Sequence, residues 1–433
     1  MADSNHCAVK VSEVPVRPLS WILIMVCAYL FMVIERPWES IKYLDGIPVE
    51  RVFAIAMIVV AIMHNKLKLV SSPTNKWVLG LLLIHFALAP FAYSTEYAFS
   101  QGIEYLKMVV LYLLMLSLVD DESGLKLFIK TYIFTMMFYV LHSLREYHNG
   151  RHVWRMGISR MVGADSTLND PNAFGASVVL SLPFVYALLR SETSSRLRKL
   201  YYCYISLAVI CVVLTGSRSS FVGLLFLFLL WGMVQHGKRK LVILTVAISA
   251  VIAIWSVMPD EKQERIRTLW DEEAGPANAH SSAQGRLVGL KVSWEMFKRA
   301  PITGVGAGGK NYIGYRMANK IDEEGHESPT QAHILYGEVL AELGAFGAFL
   351  LAGLVWAIWS CSRYARSRLL QAGLSAGFSY AAGGAIIASL LLLLLLGVGG
   401  HNFYRPLWLW LAAWSGSLFR ITNQLNPRWR SSE

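Results

Sequence analysis

The chain has 433 residues, 55% of them hydrophobic and only 16% charged, with a mean hydropathy of +0.44. Apolar runs of about 20 residues recur along it, which excludes an ordinary soluble globule and specifies an all-α polytopic membrane protein embedded in a lipid bilayer. The net charge of +11 is therefore read as membrane topology, and no basic, aromatic-interleaved soluble domain is visible that could house a nucleic acid.

Five cysteines (Cys7, Cys27, Cys203, Cys211 and Cys361) are scattered without disulfide or metal spacing and are assigned no chemistry. The first apolar run is followed by Glu35-Arg36-Pro37 rather than by a small-residue cleavage pattern. Targeting is thus expected through the first transmembrane helix itself.

Apolar segments lie near 19–34, 47–64, 77–94, 103–119, 125–143, 172–189, 200–214, 219–235, 241–258, 331–358, 372–398 and 402–418. They predict about twelve spans within a single integral membrane domain covering 1–433. With the N-terminus inside, the cytoplasmic connections carry Lys66, Lys68 and Lys76; Arg190, Arg196, Arg198 and Lys199; Lys238, Arg239 and Lys240; and Arg363, Arg366 and Arg368. The tail adds Arg420, Arg428 and Arg430. This is the positive-inside pattern, and the acidic connection Asp120-Asp121-Glu122 carries little weight against it. Both termini are expected in the cytoplasm.

Two outer connections are long, 144–171 and 259–330, and both are rich in Trp, Arg and apolar residues. The first leads through Arg160 into Asn169-Asp170-Pro171-Asn172, where Asp170 suits a helix cap and Pro171 the first helical position of the sixth span. Thr215-Gly216-Ser217-Arg218-Ser219-Ser220 is a tight outer turn between two spans. Arg218 there stands beside free helix N–H groups and hydroxyls, a setting that suits a phosphate oxygen. Snorkelling to outer headgroups is the plainer reading of that arginine.

In the second loop, Arg265 and Arg267 sit on a polar helix. Gly285-Arg286 is expected to open an amphipathic helix with Leu287, Leu290, Trp294 and Phe297 on one face and Ala300-Pro301 as its stop. The bend Gly304-Val305-Gly306-Ala307-Gly308-Gly309 is a weak phosphate-loop candidate, with no strand before it and no clear helix after it.

Ser328-Pro329-Thr330-Gln331 reads as a capping box that would place His333 in the first turn of the tenth span. Free N–H groups and the positive dipole end would then keep the imidazole neutral and able to accept a proton. The plainer reading is a histidine marking the membrane interface. Glu338 and Glu342 are four residues apart on the opposite face, so packing or a salt bridge to a neighbouring helix is expected of them rather than direct orientation of His333. His401 and Arg405, at the outward start of the last span, are read as interface anchors, with a place in the site as the alternative.

Three capped helix starts and several arginines thus gather on one membrane face, an arrangement suited to a lipid-linked polyanion, most plausibly a diphosphate. His326 and His333 form no HxxxH or HExxH pair and no Asp-x-Asp stands in an outer loop. A reaction without metal or other cofactor is expected.

At this point the residues resemble the O-antigen ligase and polymerase superfamily. The resemblance rests on the Thr-Gly-Ser-Arg-Ser-Ser turn, on Gly285-Arg286 with Pro301 and the glycine bend, and on His333 followed by Glu342-x-Gly344-x-x-Gly347. The Asn-Asp-Pro-Asn segment is similar to one found in many members. The match covers about 160 to 347 at motif level.

It implies a C-type membrane glycosyltransferase in the bacterial cell inner membrane, with both long loops in the periplasm. The donor would be glycan on undecaprenyl diphosphate and the acceptor a sugar hydroxyl of lipid A–core. Arg218 and Arg286 would hold the diphosphate, and His333 would act on the acceptor hydroxyl with inversion at the anomeric carbon. Arg265 and Arg160 are further candidates for the diphosphate, supported by Ser217, Ser219, Asn169 and Asn172. The same resemblance admits a polymerase using a lipid-linked repeat unit as acceptor. Protein-directed ligases often carry a C-terminal extension that is absent here. A transporter for lipid-linked sugar would instead predict midplane polar groups and interrupted helices in two related halves, which the sequence does not clearly show.

Overall fold

The computed structural model describes residues 20–39, 41, 43, 48–155, 158–235, 237, 240–241, 245, 249, 252, 255–256, 258–267, 271, 277–321 and 331–425. The chain is an all-α membrane protein. Among the described residues, α1 (Trp21–Glu35), α2 (Val49–Met63), α3 (Asn75–Ala87), α4 (Thr95–Leu118) and α5 (Glu122–His148) are followed by a short hairpin. Then come α6 (Pro171–Ser191), α7 (Ser195–Thr215), α8 (Arg218–Met233), α9 (Asp260–Arg267), α10 (Ala277–Arg299), α11 (Gly309–Ala318), α12 (Leu335–Gln371), α13 (Phe378–Gly397) and α14 (Leu407–Asn423). Six of these, α4, α5, α6, α7, α12 and α13, are long and apolar enough to cross a bilayer, and α1, α3 and α8 are shorter apolar helices. The apolar segment 241–258 lies largely outside the described residues.

Local chemistry explains several helix ends. Pro90 cannot continue α3, which gives way to a 3-10 turn at Ala89–Phe91. The Asp170 carboxylate accepts from the N–H groups of Asn172 and Ala173, each at 2.9 Å, with Pro171 as the first residue of α6. Gly216 caps α7 in the left-handed region, and the Ser217 hydroxyl then accepts from Ser220 N to start α8. Arg363, Arg366 and Arg368 stand on the long extension of α12 rather than in a loop.

The core is built on α6 against α13 and on α12 against α13 and α14, with α3 and α4 closing one side and α1 and α5 another. Trp414 is fully buried and meets Phe184 edge-on at 4.9 Å. Both long connections carry secondary structure among their described residues. The first holds an antiparallel hairpin, β1 (His152–Arg155) with β2 (Ile158–Met161), pairing Val153 with Arg160. In the second, α10 begins at Ala277, eight residues before the expected start at Gly285. Its Val292 and Met296 face the protein, whereas Leu287 and Trp294 of the expected apolar face are exposed, as on a helix lying against lipid.

One irregularity shapes the outer end of α12. At Gly344 the backbone leaves the helix, with φ 62° and ψ −157°. The carbonyls of Ala341 and Glu342 there accept from the N–H groups of Val305 and Gly306, and Ala345 N donates to Pro301 O. The segment 301–306 therefore satisfies the polar groups that the break releases, the condition for irregular backbone at membrane depth.

Candidate functional site

A cavity of about 770 Å³ opens among α6, α8, α10, α12 and the connection between α13 and α14. Arg160, Asn172, Arg218, Ser219, Arg286, His333, His401 and Arg405 all line it. Each arrives from a different local construction.

Arg160 stands on β2 and is only 1% exposed. Its Nε donates to Thr215 O at 2.8 Å, and its Nη2 donates to the side-chain oxygen of Asn172 at 2.9 Å. The hairpin thus ties the start of α6 to the end of α7. Arg218 opens α8 and is also buried. The hydroxyl of Ser217 caps this helix and lies 3.2 Å from that of Ser219. Arg286 reaches the same space from the interior of α10. A Cβ at Gly399 would lie 3.3 Å from Ser219 Cβ and 3.8 Å from Arg286 Cζ, so the glycine turn after α13 lets these groups meet across it. The charges of Arg218 and Arg286 feel each other. Burial lowers the pKa of Arg286, but a guanidinium stays charged throughout the physiological range.

His333 precedes α12, whose cap is Ile334 without a side-chain hydrogen bond. The expectation of a first-turn histidine under a Ser328 capping box is therefore corrected: Gln331 and Ala332 are not helical, and Ser328, Pro329, Thr330 and His326 lie outside the described residues. Of the three expected capped starts, those of α6 and α8 are present. The His333 side chain is exposed to the cavity, and its Nδ1 lies 3.2 Å from Nδ1 of His401. The ring centroids are 5.2 Å apart.

His401 and Arg405 are thus wall groups of the cavity, not simple interface anchors. Arg405 donates to Ala173 O and Ser177 Oγ of α6. His401 is open to the cavity yet surrounded by protein on its other sides. That crowding, then the neighbouring His333 and Arg405, hold its pKa down to about 4, with Asp170 opposing.

Glu338 and Glu342 explain how the 401 loop is held. A Glu338 oxygen accepts from Phe403 N at 3.2 Å. Glu342 Oε2 accepts from Tyr404 Oη at 2.6 Å and from Gly308 N at 2.7 Å. Both carboxylates bind the loop after α13, and neither forms a salt bridge among the described residues. In the glycine bend, expected as a phosphate-loop candidate, Gly308 N donates to the protein's own Glu342 side chain, and α11 does follow the bend.

Two supporting candidates, Ser217 and Asn169, do not line the cavity, Ser217 being buried as the α8 cap. Asn169 is exposed in the loop before α6. Arg265 lies on α9, but its side chain is outside the described residues. The cation of α9 that docks on the α7 end is Lys262, whose Nζ donates to Leu214 O at 3.1 Å. Among the described residues no cluster of His, Cys, Asp and Glu forms a metal-binding set.

Comparison with known proteins adds one family match. Residues 203–352 match the family model described as O-Antigen ligase. No curated protein matches the chain. The matched stretch runs from α7 past the break in α12 and contains Arg218, Arg286, His333, Glu338 and Glu342. Arg160, Asn172, His401 and Arg405 lie outside it.

Proposed function

We propose that this chain, which carries an O-antigen ligase family domain over residues 203–352, moves O-antigen glycan from undecaprenyl diphosphate to a sugar hydroxyl of lipid A–core. The reaction would occupy the periplasmic face of the bacterial inner membrane, with both termini in the cytoplasm. The observation that carries this reading is the convergence of Arg160, Arg218, Arg286 and His333 on one cavity.

The chemistry follows from those groups. His333 accepts the acceptor hydroxyl proton as that oxygen bonds to the anomeric carbon. The bond from the anomeric carbon to the diphosphate oxygen breaks, and its electron pair leaves with undecaprenyl diphosphate. Fixed guanidinium groups stabilise the growing negative charge in a site of lowered dielectric, a role that a divalent cation fills elsewhere. Arg160 is oriented for this by Thr215 and Asn172, and Arg218 by the Ser217 cap.

The test is transfer by purified protein from glycan-linked undecaprenyl diphosphate to lipid A–core in chelator, with His333→Ala alongside. Glycan on lipid A–core with the wild type alone is the expected result. Longer lipid-linked glycans with bare lipid A–core would identify a polymerase. Full transfer by His333→Ala, or dependence on added divalent cation, would refute the mechanism.

A further inference from the structure

We infer that His401 is a positioning residue for His333: its Nδ1 accepts the hydrogen bond that His333 Nδ1–H donates, which leaves His333 Nε2 as the base. The inference rests on the transferase reading above and concerns a residue outside the matched family stretch.

The geometry is the 3.2 Å approach of two Nδ1 atoms. Two neutral rings at that distance share one proton, and one nitrogen must donate while the other accepts. If His401 donated, His333 Nδ1 would be the acceptor and its Nε2 would carry the remaining hydrogen, useless as a base. If His333 donates, its Nε2 carries the lone pair and not a hydrogen. The tautomer of the partner therefore decides whether His333 works, as a buried orienting group does for histidine bases elsewhere.

His401 suits the accepting role, since its crowded surroundings keep it neutral. The charged and titratable groups around the pair are Arg405 in the same loop, Asp170 at the α6 cap, Arg218 and Arg286 from α8 and α10, and Glu338 of α12. The predominance of cations discourages a second positive charge on the pair.

The placement of His401 is also over-determined. Phe403 N is held by Glu338, Tyr404 Oη by Glu342, and the Asn402 side chain by Leu393 O. Both carboxylates belong to the helix that follows His333, so one element sets the position of both rings. In the reaction the hydroxyl proton moves to His333 Nε2 as the C–O bond to the acceptor forms and the C–O bond to diphosphate breaks. The resulting imidazolium donates from Nδ1 to His401 until the proton passes to solvent. No other bond changes.

Three variants test this in the same transfer assay across pH. Asn at 401 places an acceptor oxygen where Nδ1 stood; Ala removes it. His401→Ala is expected to lose about 10–100-fold in kcat, a share of what a general base contributes, with little change in KM. The acid side of its activity–pH profile should move to lower pH, because a lost acceptor makes the imidazolium harder to form. His401→Asn should recover to within about threefold of wild type and restore the profile, on the same acceptor logic.

Wild-type kcat with an unmoved acid side in His401→Ala would overturn the inference, and so would equal loss in Ala and Asn variants with that side unmoved. His333→Ala separates the two readings. An active His333→Ala would overturn the transferase mechanism itself, whereas an inactive one beside an unaffected His401→Ala would overturn only the role of His401.

Discussion

Replacing Gly344 by alanine strikes the break in α12 and should unseat the site from a distance. The backbone there, at φ 62° and ψ −157°, lies where residues other than glycine cost about 1–3 kcal/mol. A new Cβ would also stand 2.4 Å from Ile302 O, a backbone atom. Relief requires the segment 301–306 to withdraw, which breaks the bonds from Ala345 N to Pro301 O, Val305 N to Ala341 O and Gly306 N to Glu342 O. At about 0.5–1.5 kcal/mol for each bond, the combined loss is about 3–6 kcal/mol. Withdrawal also takes Gly308 away from Glu342, and with it the Tyr404 contact that fixes the 401 loop. Thermal unfolding of detergent-solubilised protein, followed by tryptophan fluorescence, should show Gly344→Ala melting several degrees below wild type with little transfer activity. Gly285→Ala is the matched control: nothing lies within 4 Å of its Cβ, and alanine in a helix interior is favoured by about 0.5–1 kcal/mol. A Gly344→Ala protein that melts with wild type would refute the account of the break.

Two further outcomes follow from the site. Arg218→Lys should lower transfer by about 10–100-fold with the fold intact, since a single ammonium does not reproduce the two-pronged guanidinium contact with phosphate; an unaffected rate would remove Arg218 from the diphosphate. Because His401 in the folded protein has its pKa lowered from 6.5 to about 4, the unfolded chain binds more protons between those values. Stability should therefore be highest above pH 6.5 and decline as pH falls toward 4, and His401→Asn should decline less. Identical melting curves against pH for the two proteins would contradict this.

The parts of the site that were legible in the sequence are those fixed by neighbours in the chain. Asp170 caps the helix it was expected to cap, and α8 starts where the Arg218 turn was expected to start it, because a cap needs only the next three residues. The arginines stood out because positive charge in connections assigned to the outer face has no topological reason to be there. The His333–His401 pair was not, since its partners are 68 positions apart and depend on a loop hung from Glu338 and Glu342. The glycine bend did not reveal that its Gly308 N–H is taken by a side chain 34 positions away. Nothing in Glu342-Leu343-Gly344-Ala345 marks a break, because its neighbours all favour helix; only the approach of the segment 301–306 makes the break affordable in hydrogen bonds. The span near 103–119 hid the true start of α4 at Thr95 for a related reason, as polar Glu96, Gln101 and Glu104 extend a helix that apolarity alone would shorten.

The scattered origin of the cavity wall has a consequence for biogenesis. Its groups come from the first outer hairpin, from α8, from α10, from just before α12 and from the connection that precedes α14. A chain emerging from its N-terminus meets the membrane in that order. Until the last helix is threaded, the cations are present but the 401 ring is not, and neither loop nor helix is yet fastened through Glu338 and Glu342. On the proposed mechanism a nascent or truncated polypeptide would lack the partner of His333, and the final insertion event would be the one that completes the site.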